Sequence, residues 1–184
     1  MTQAVNEDGQ PAPLTRKIKL IELEREREQT IELTPDERQE IMALLDLTSL
    51  DDFAFTYKAH SSSGKRVQVR GHLTANAVQT CVVSLEPLPV TIDLPVSVEF
   101  WPFERIATLR QQAEDPSQAA EIDWPETIKD DAIDLGPLIY ETLAMSFDPY
   151  PKKRGVQFDW EDAAGQDEMA ENGPFAALKG LKKS

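Results

Sequence analysis

The residues of this chain whose types could do covalent or metal chemistry are few: its one cysteine, Cys81, and its two histidines, His60 and His72. Thiol catalysis needs a cysteine of lowered pKa with a base in reach, so Cys81 with either histidine is the nucleophilic arrangement to weigh. The residues around Cys81 alternate, however, and put it in phase with Val83 and Leu85 on the side a strand buries, where a packed thiol is the simpler reading. Zinc calls for about four ligands at characteristic spacings, which Cys81, His60 and His72 do not have. A lone thiol also closes no intrachain disulfide or multi-cysteine cluster. Gly71, Gly136 and Gly155 are isolated, and no G-x-x-x-x-G-K-[ST] or G-x-G-x-x-G run is present to cradle phosphate. The many carboxylates lack an apolar cleft segment that would raise a pKa, so a solvated surface is their expected setting. The expectation is a protein without catalysis, cofactor or metal.

What the sequence does offer is a set of cations on one strand face: Lys58, His60, Lys65, Arg66, Arg70 and His72. Strands can present such groups to RNA. Weaker basic spots lie at Lys152-Lys153-Arg154 and at Lys179, Lys182 and Lys183. Against them stand 33 acidic and 19 basic residues and a formal net charge of −14. A chain so charged repels naked phosphate on average, and basic spots in an acidic molecule suit docking on a nucleoprotein particle or a basic protein better than wrapping free nucleic acid. The first residues have neither a basic nor an apolar region of a leader, and no apolar run is long enough for a bilayer. The expected location is therefore cytoplasmic, away from membranes.

The elements that must position these residues read as an α+β domain with a mixed, mainly antiparallel sheet, a long central hairpin and two or three packed helices. Residues 1–15 are polar and proline-bearing and are expected to be disordered. The folded domain is expected over 16–150, with an acidic insertion at 104–133 that carries a short helix near 105–112. A flexible tail is expected over 151–184, ending in an amphipathic segment at 172–181 where Phe175, Leu178 and Leu181 align. Strands are expected near 17–22 and 29–33. Thr34-Pro35-Asp36-Glu37 predicts a helix start with a capping box, and Ile41, Leu44 and Leu45 face the core. Phe53, Phe55 and Tyr57 alternate into a Ser61–Gly64 turn, followed by Val67, Val69, Gly71, Leu73 and Ala75 on one face and Gln68, Arg70, His72 and Thr74 on the other. A shift of period predicts a bulge near 76–79. From Val90 to Phe100 the alternation is strongest, and Pro95 within it points to an edge. Asp134 is an N-cap for a helix with Leu135, Leu138, Ile139, Thr142 and Leu143 in one stripe, which Pro149 and Pro151 end.

The blocks Val69–Leu88, Ile133–Leu143 and Asn172–Lys179, in that order and spacing, resemble the YceD family, also called DUF177. The resemblance runs from about Lys17 onward. It implies a factor for large-subunit ribosomal RNA accumulation, in ribosome biogenesis, without assigned catalytic residues. Carried onto this chain, the family's positions are Gly71, Cys81, Leu85, Glu86, Pro87, Asp134, Leu135, Gly136 and Glu141. Many members carry a second cysteine three positions after the first; here Ser84 stands there, which removes a dithiol pair. The implied partners are large-subunit ribosomal RNA or a pre-ribosomal particle, or a basic ribosomal protein. The candidate partner-binding residues are Lys58, Arg66, Arg70, His72, Glu86 and Glu141. The alternative function is an acidic adaptor or chaperone that holds a basic ribosomal protein without touching RNA. Glu86, held extended before Pro87, either meets a partner arginine or caps a local turn.

Overall fold

The structure, a computed structural model, describes residues 13–24, 27–62, 65–112 and 124–157. The Ser63–Gly64 part of the expected turn, most of the expected disordered margin, and the amphipathic segment at 172–181 lie outside the described residues. All elements named below belong to one compact unit that ends at Lys153.

Five strands form the main sheet in the order β2-β3-β4-β5-β6: β2 (Glu28–Ile31), β3 (Ser49–Ser62), β4 (Arg66–Thr80), β5 (Pro87–Pro102) and β6 (Glu126–Ile128). Only the β5–β6 pair is parallel. A two-stranded sheet pairs β1 (Lys17–Lys19) with β7 (Ala132–Asp134). Among the described residues three α-helices complete the fold: α1 (Pro35–Leu44), α2 (Phe103–Gln112) and α3 (Leu135–Met145). The α+β reading holds, with long antiparallel strands at its centre.

The long strands form because their residues alternate. On β4, Val67, Val69, Leu73, Ala75 and Ala77 are buried, and across from them Phe53, Phe55, Tyr57 and Ala59 of β3 and Ile92, Val96 and Phe100 of β5 point the same way. Leu14, Ile18, Leu23, Leu33, Ile41, Ile133, Leu135, Ile139 and Leu143 close over that face and complete one core. The other face of the sheet keeps its polar residues in water.

Helix starts follow local chemistry. Thr34 Oγ1 accepts from the Glu37 amide at 3.3 Å and the Glu37 carboxylate accepts from the Thr34 amide at 2.9 Å, with Pro35 at the first helical position. Asp134 Oδ1 accepts from the Gly136 amide at 2.9 Å, so it caps α3 as expected. The same oxygen accepts from the Arg16 amide at 2.7 Å, which ties the start of β1 to the start of the helix.

Several expectations are corrected. Leu14, placed in the disordered margin, is 1% exposed, and its carbonyl lies where a Cβ on Gly136 would be 2.2 Å away, so the chain packs from Leu14 onward. The first strand stops at Lys19 and continues as a 3-10 turn over Leu20–Glu24, and the second runs over Glu28–Ile31 rather than to Leu33. Leu44 is 55% exposed, because α1 meets the core chiefly through Ile41. The bulge is not at 76–79: β4 pairs with β5 in unbroken register from Val67 to Thr80, and the irregularity falls on β3 between Asp51 and Ala54, with Asp52 at φ 49°. The apparent change of period arises because Gln79 takes a core position and satisfies its amide by donating to the Asp148 carbonyl at 2.8 Å.

The acidic stretch also contains two strands that no periodicity announces. Lys129 and Ala132 exchange backbone hydrogen bonds around Asp130 and Asp131, both at positive φ, which is the two-residue primed turn of a hairpin. This turn joins β6 of the main sheet to β7 of the small one. Pro95 sits on an edge, as expected, because β6 covers only Phe100–Pro102. The Cys81 amide donates to the Glu86 carbonyl, so even-numbered β5 residues bond toward β4 and odd-numbered ones face outward. Pro87, Pro89 and Pro95 are all odd, and each removes a donor from the open side, which discourages strand addition there.

Candidate functional site

The wet face of the sheet is assembled by register alone. Lys58 on β3 pairs with Arg70 on β4, and Arg70 with Ser97 on β5, while on the other side Lys58 pairs with Glu28 of β2. One row further along β4, His60 pairs with Gln68 and Gln68 with Glu99; one row the other way, Thr56 pairs with His72 and His72 with Pro95. Arg66, opposite Ser62, begins the strand. Lys58, Arg66, Arg70 and His72, four of the six expected partner-binding residues, therefore share one surface, and no helix covers Arg70, which is exposed.

A concavity of about 460 Å³ opens at the centre of this face, lined by Lys58, His60, Gln68 and Arg70. Lys58 Nζ stands 3.6 Å from Glu28 Oε2, with both side chains more than half exposed, so water screens the pair. Arg70 has no ion pair among the described residues, and its nearest cross-strand neighbour of charge is Lys58. Like charges directly opposite each other destabilise a sheet pair, and an anion between them would relieve the repulsion.

Around this centre His72, Lys65 and Arg66 are already engaged. His72 hydrogen-bonds Asp93, and Lys65 reaches Asp131 at 3.0 Å. The Arg66 guanidinium lies over the Trp101 ring, 5.4 Å from its centroid, and Trp101 Nε1 donates to Glu99 Oε2 at 2.7 Å. Glu28, Asp93 and Glu99 thus border the cations, and the surface is a short basic spot within a carboxylate rim rather than a long positive strip. Gln68 falls on the polar face expected for it but was not counted among the binding residues, and neither Trp101 nor the carboxylate rim was foreseen as part of the site. Asp93, Glu99 and Trp101 share the odd phase of β5, which could have announced them, whereas the pairing of Glu28 depends on a register that no local pattern encodes.

Glu86 and Glu141 are not part of this surface. Glu141 is exposed on α3, whose apolar side packs into the core on the other face of the sheet. Glu86 lies beyond the end of β4, opposite Cys81, about 36 Å from Arg70 at ~3.3 Å per residue of strand. There it accepts from Ser84 Oγ at 2.9 Å and pairs with Lys153 Nζ at 2.8 Å, contacts that hold its carboxyl below the usual range. The Glu86 carboxylate is thus engaged by two side chains of its own chain, Ser84 and Lys153.

The turn from Cys81 to Glu86 is clasped by the chain after α3. The Val82 amide donates to the Pro151 carbonyl at 2.9 Å, and Cys81 Sγ accepts from the amides of Lys153 at 3.3 Å and Ser84 at 3.4 Å. The Lys153 amide first, then the Ser84 hydroxyl and amide, lower the thiol to about 6 against the opposing effect of burial. Even so, Cys81 is fully buried, as its phase predicts, and its sulfur is already bonded on two sides. Leu85, expected on the buried side in phase with Cys81, instead turns the chain at φ 59° and is 76% exposed, because β4 ends at Thr80 and the alternation does not continue through the turn; Pro87 starts β5 opposite Thr80. Gly71 admits the Phe55 ring, Leu135 is buried at the start of α3, and Gly136 admits the Leu14 carbonyl.

Among the described residues no group of three His, Cys, Asp or Glu side chains is placed to hold a metal ion, and no helix is long and apolar enough to cross a membrane. A family model described as "Large ribosomal RNA subunit accumulation protein YceD" matches residues 69–182, more than half of the 184. No curated protein and no solved structure matches the chain.

Proposed function

The chain belongs to the YceD family, that of the large ribosomal RNA subunit accumulation protein, and from this premise we propose that it acts in the cytoplasm as a non-catalytic binding factor that touches large-subunit ribosomal RNA through the wet face of β3 and β4. The observation that carries the reading is the cross-strand pair of Lys58 and Arg70 at an open concavity, with Arg70 free of any carboxylate among the described residues. A phosphate placed there neutralises two adjacent cations at once. Binding without catalysis is supported by Cys81, the sole thiol, being sealed and bonded to two amides rather than facing a base.

Crosslinking in cells, with both RNA and protein partners identified, tests the reading. Large-subunit ribosomal RNA or its precursors are expected among the crosslinks, and their recovery is expected to fall when Lys58 and Arg70 are both changed to Glu. Crosslinks to a basic ribosomal protein alone, unchanged by those substitutions, would replace the reading with that of an acidic adaptor.

A further inference from the structure

The shape of the charge on the wet face says which form of RNA it fits. The two cations at the concavity, Lys58 and Arg70, are direct cross-strand neighbours, and Arg66 lies four residues up β4, about 13 Å away at ~3.3 Å per residue. Beyond them in each direction across the sheet come carboxylates: Glu28 outside Lys58, and Glu99 and Asp93 along β5. The basic spot is therefore wide enough for one or two phosphates and no wider.

A duplex cannot use such a spot well. Double-stranded RNA is recognised by shape, with contacts spread over successive grooves and across about 16 base pairs in the best known modules. A rigid double helix laid over Arg70 would carry its neighbouring phosphates onto Glu28, Asp93 and Glu99, and the net charge of −14 adds to the repulsion. A single strand, a loop or a bulge can set one or two phosphates between Lys58 and Arg70 and then turn away. It also exposes base faces. The Arg66–Trp101 stack, which lies at the β3–β4 turn end of the same face, provides a planar surface for one of them.

We infer that the RNA taken by this face is an unpaired segment, held by one or two phosphates at Lys58 and Arg70 with a base near Arg66 and Trp101. The inference rests on the proposed RNA contact and narrows it.

The test uses the full chain and a short dye-labelled RNA, free as a single strand and annealed to its complement, in fluorescence anisotropy at several salt concentrations. The single strand is expected to bind at least about tenfold more tightly than the duplex, with a log–log salt slope of about −1.4 or shallower for two phosphates neutralised. Arg70→Glu is expected to abolish that preference, and Trp101→Leu to weaken the single strand by severalfold without changing the salt slope. Both variants need an unchanged thermal melt for this comparison. Equal or tighter binding of the duplex overturns the inference and leaves the RNA contact standing. No binding of either form overturns the RNA contact itself, and the inference with it.

Discussion

Gly71 lies beneath the ring of Phe55: a Cβ at position 71 would stand 2.7 Å from Phe55 Cζ and 2.8 Å from the Thr56 carbonyl oxygen. Both are inside the closest approach that carbon atoms tolerate, and Phe55 is 1% exposed and stacked on Tyr57, with ring centroids 5.6 Å apart. The ring therefore cannot step aside without opening the core. Glycine is required here by space rather than by backbone angle.

Gly71→Ala is accordingly expected to cost about 1–3 kcal/mol, the usual range for overpacking a filled core. Urea unfolding monitored by far-ultraviolet circular dichroism measures it. If the Phe55 ring is the obstacle, Phe55→Leu in the same chain gives a double variant less destabilised than the sum of the two singles. Additivity would place the obstacle at the Thr56 carbonyl instead.

The cap at Asp134 serves two elements, since one oxygen accepts from both the Gly136 and Arg16 amides. Asp134→Ala is expected to lose about 1–2 kcal/mol, the range for an N-cap, and to loosen β1 along with the first turn of α3. Hydrogen exchange would show faster exchange at both Arg16 and Gly136. A change confined to Gly136 would mean that β1 is held by its pairing with β7 alone.

How far the sequence disclosed this architecture depends on the range of each contact. The Thr34–Glu37 box, the Asp134 cap and the alternation of β4 and β5 are local, and they were legible. Gln79 was not: a polar residue in a core position reads as a break in phase until the Asp148 carbonyl, far along the chain, is seen to satisfy it. The strands β6 and β7 are three residues each, too short to show a period, and they exist because distant partners, Phe100–Pro102 and Lys17–Lys19, need pairing. In the site, the type and phase of Lys58, Arg66, Arg70 and His72 announced one face, and the odd phase of Asp93 and Glu99 was there to be read, whereas the Glu28 neighbour of Lys58 and the Lys153 partner of Glu86 came only from the three-dimensional register.

Glu37 carries a pH dependence. The Arg16 guanidinium donates to both carboxylate oxygens, at 2.6 and 2.7 Å, and together with the Thr34 contacts this lowers the carboxyl to about 2 against the opposing effect of burial. A depressed carboxyl stabilises the fold fully above its unfolded pKa, near ~4.3, and that stability is lost as pH falls from there through about 2. Because both side chains keep 24% exposure, screening limits the gain to about 1–2 kcal/mol. Glu37→Gln is expected to lose this amount at neutral pH and to flatten the stability profile between those two pH values. A profile unchanged in slope would assign the acid sensitivity to other carboxylates.

Cys81 separates a structural from a chemical role. Serine keeps an acceptor for the Lys153 and Ser84 amides, whereas alanine leaves both without one inside a sealed turn. The urea midpoint is therefore expected to fall further for Cys81→Ala than for Cys81→Ser, with the Lys153 amide losing protection in the alanine variant. Complementation in cells is expected to survive Cys81→Ser. Loss of function in a well-folded serine variant would reinstate thiol chemistry.

Arg70 offers a test in which stability and binding move in opposite directions. Facing Lys58 across the strands with no carboxylate partner among the described residues, it is a liability to the free sheet, and Arg70→Gln removes the like-charge pair while keeping a long polar side chain on an exposed position. The free protein is expected to become more stable by about 0.2–1 kcal/mol, most clearly at low salt, since cross-strand charge effects have that size and are screened by ions. Affinity for single-stranded RNA is expected to fall, and the log–log salt slope to become shallower by about 0.7, one phosphate contact fewer. A purely structural role for Arg70 predicts the reverse sign in stability, because its removal would then cost the sheet a favourable contact. Thermal melts and anisotropy on the same preparation decide between the two, and a variant that is both less stable and undiminished in RNA binding would remove the wet face of β4 from the binding surface.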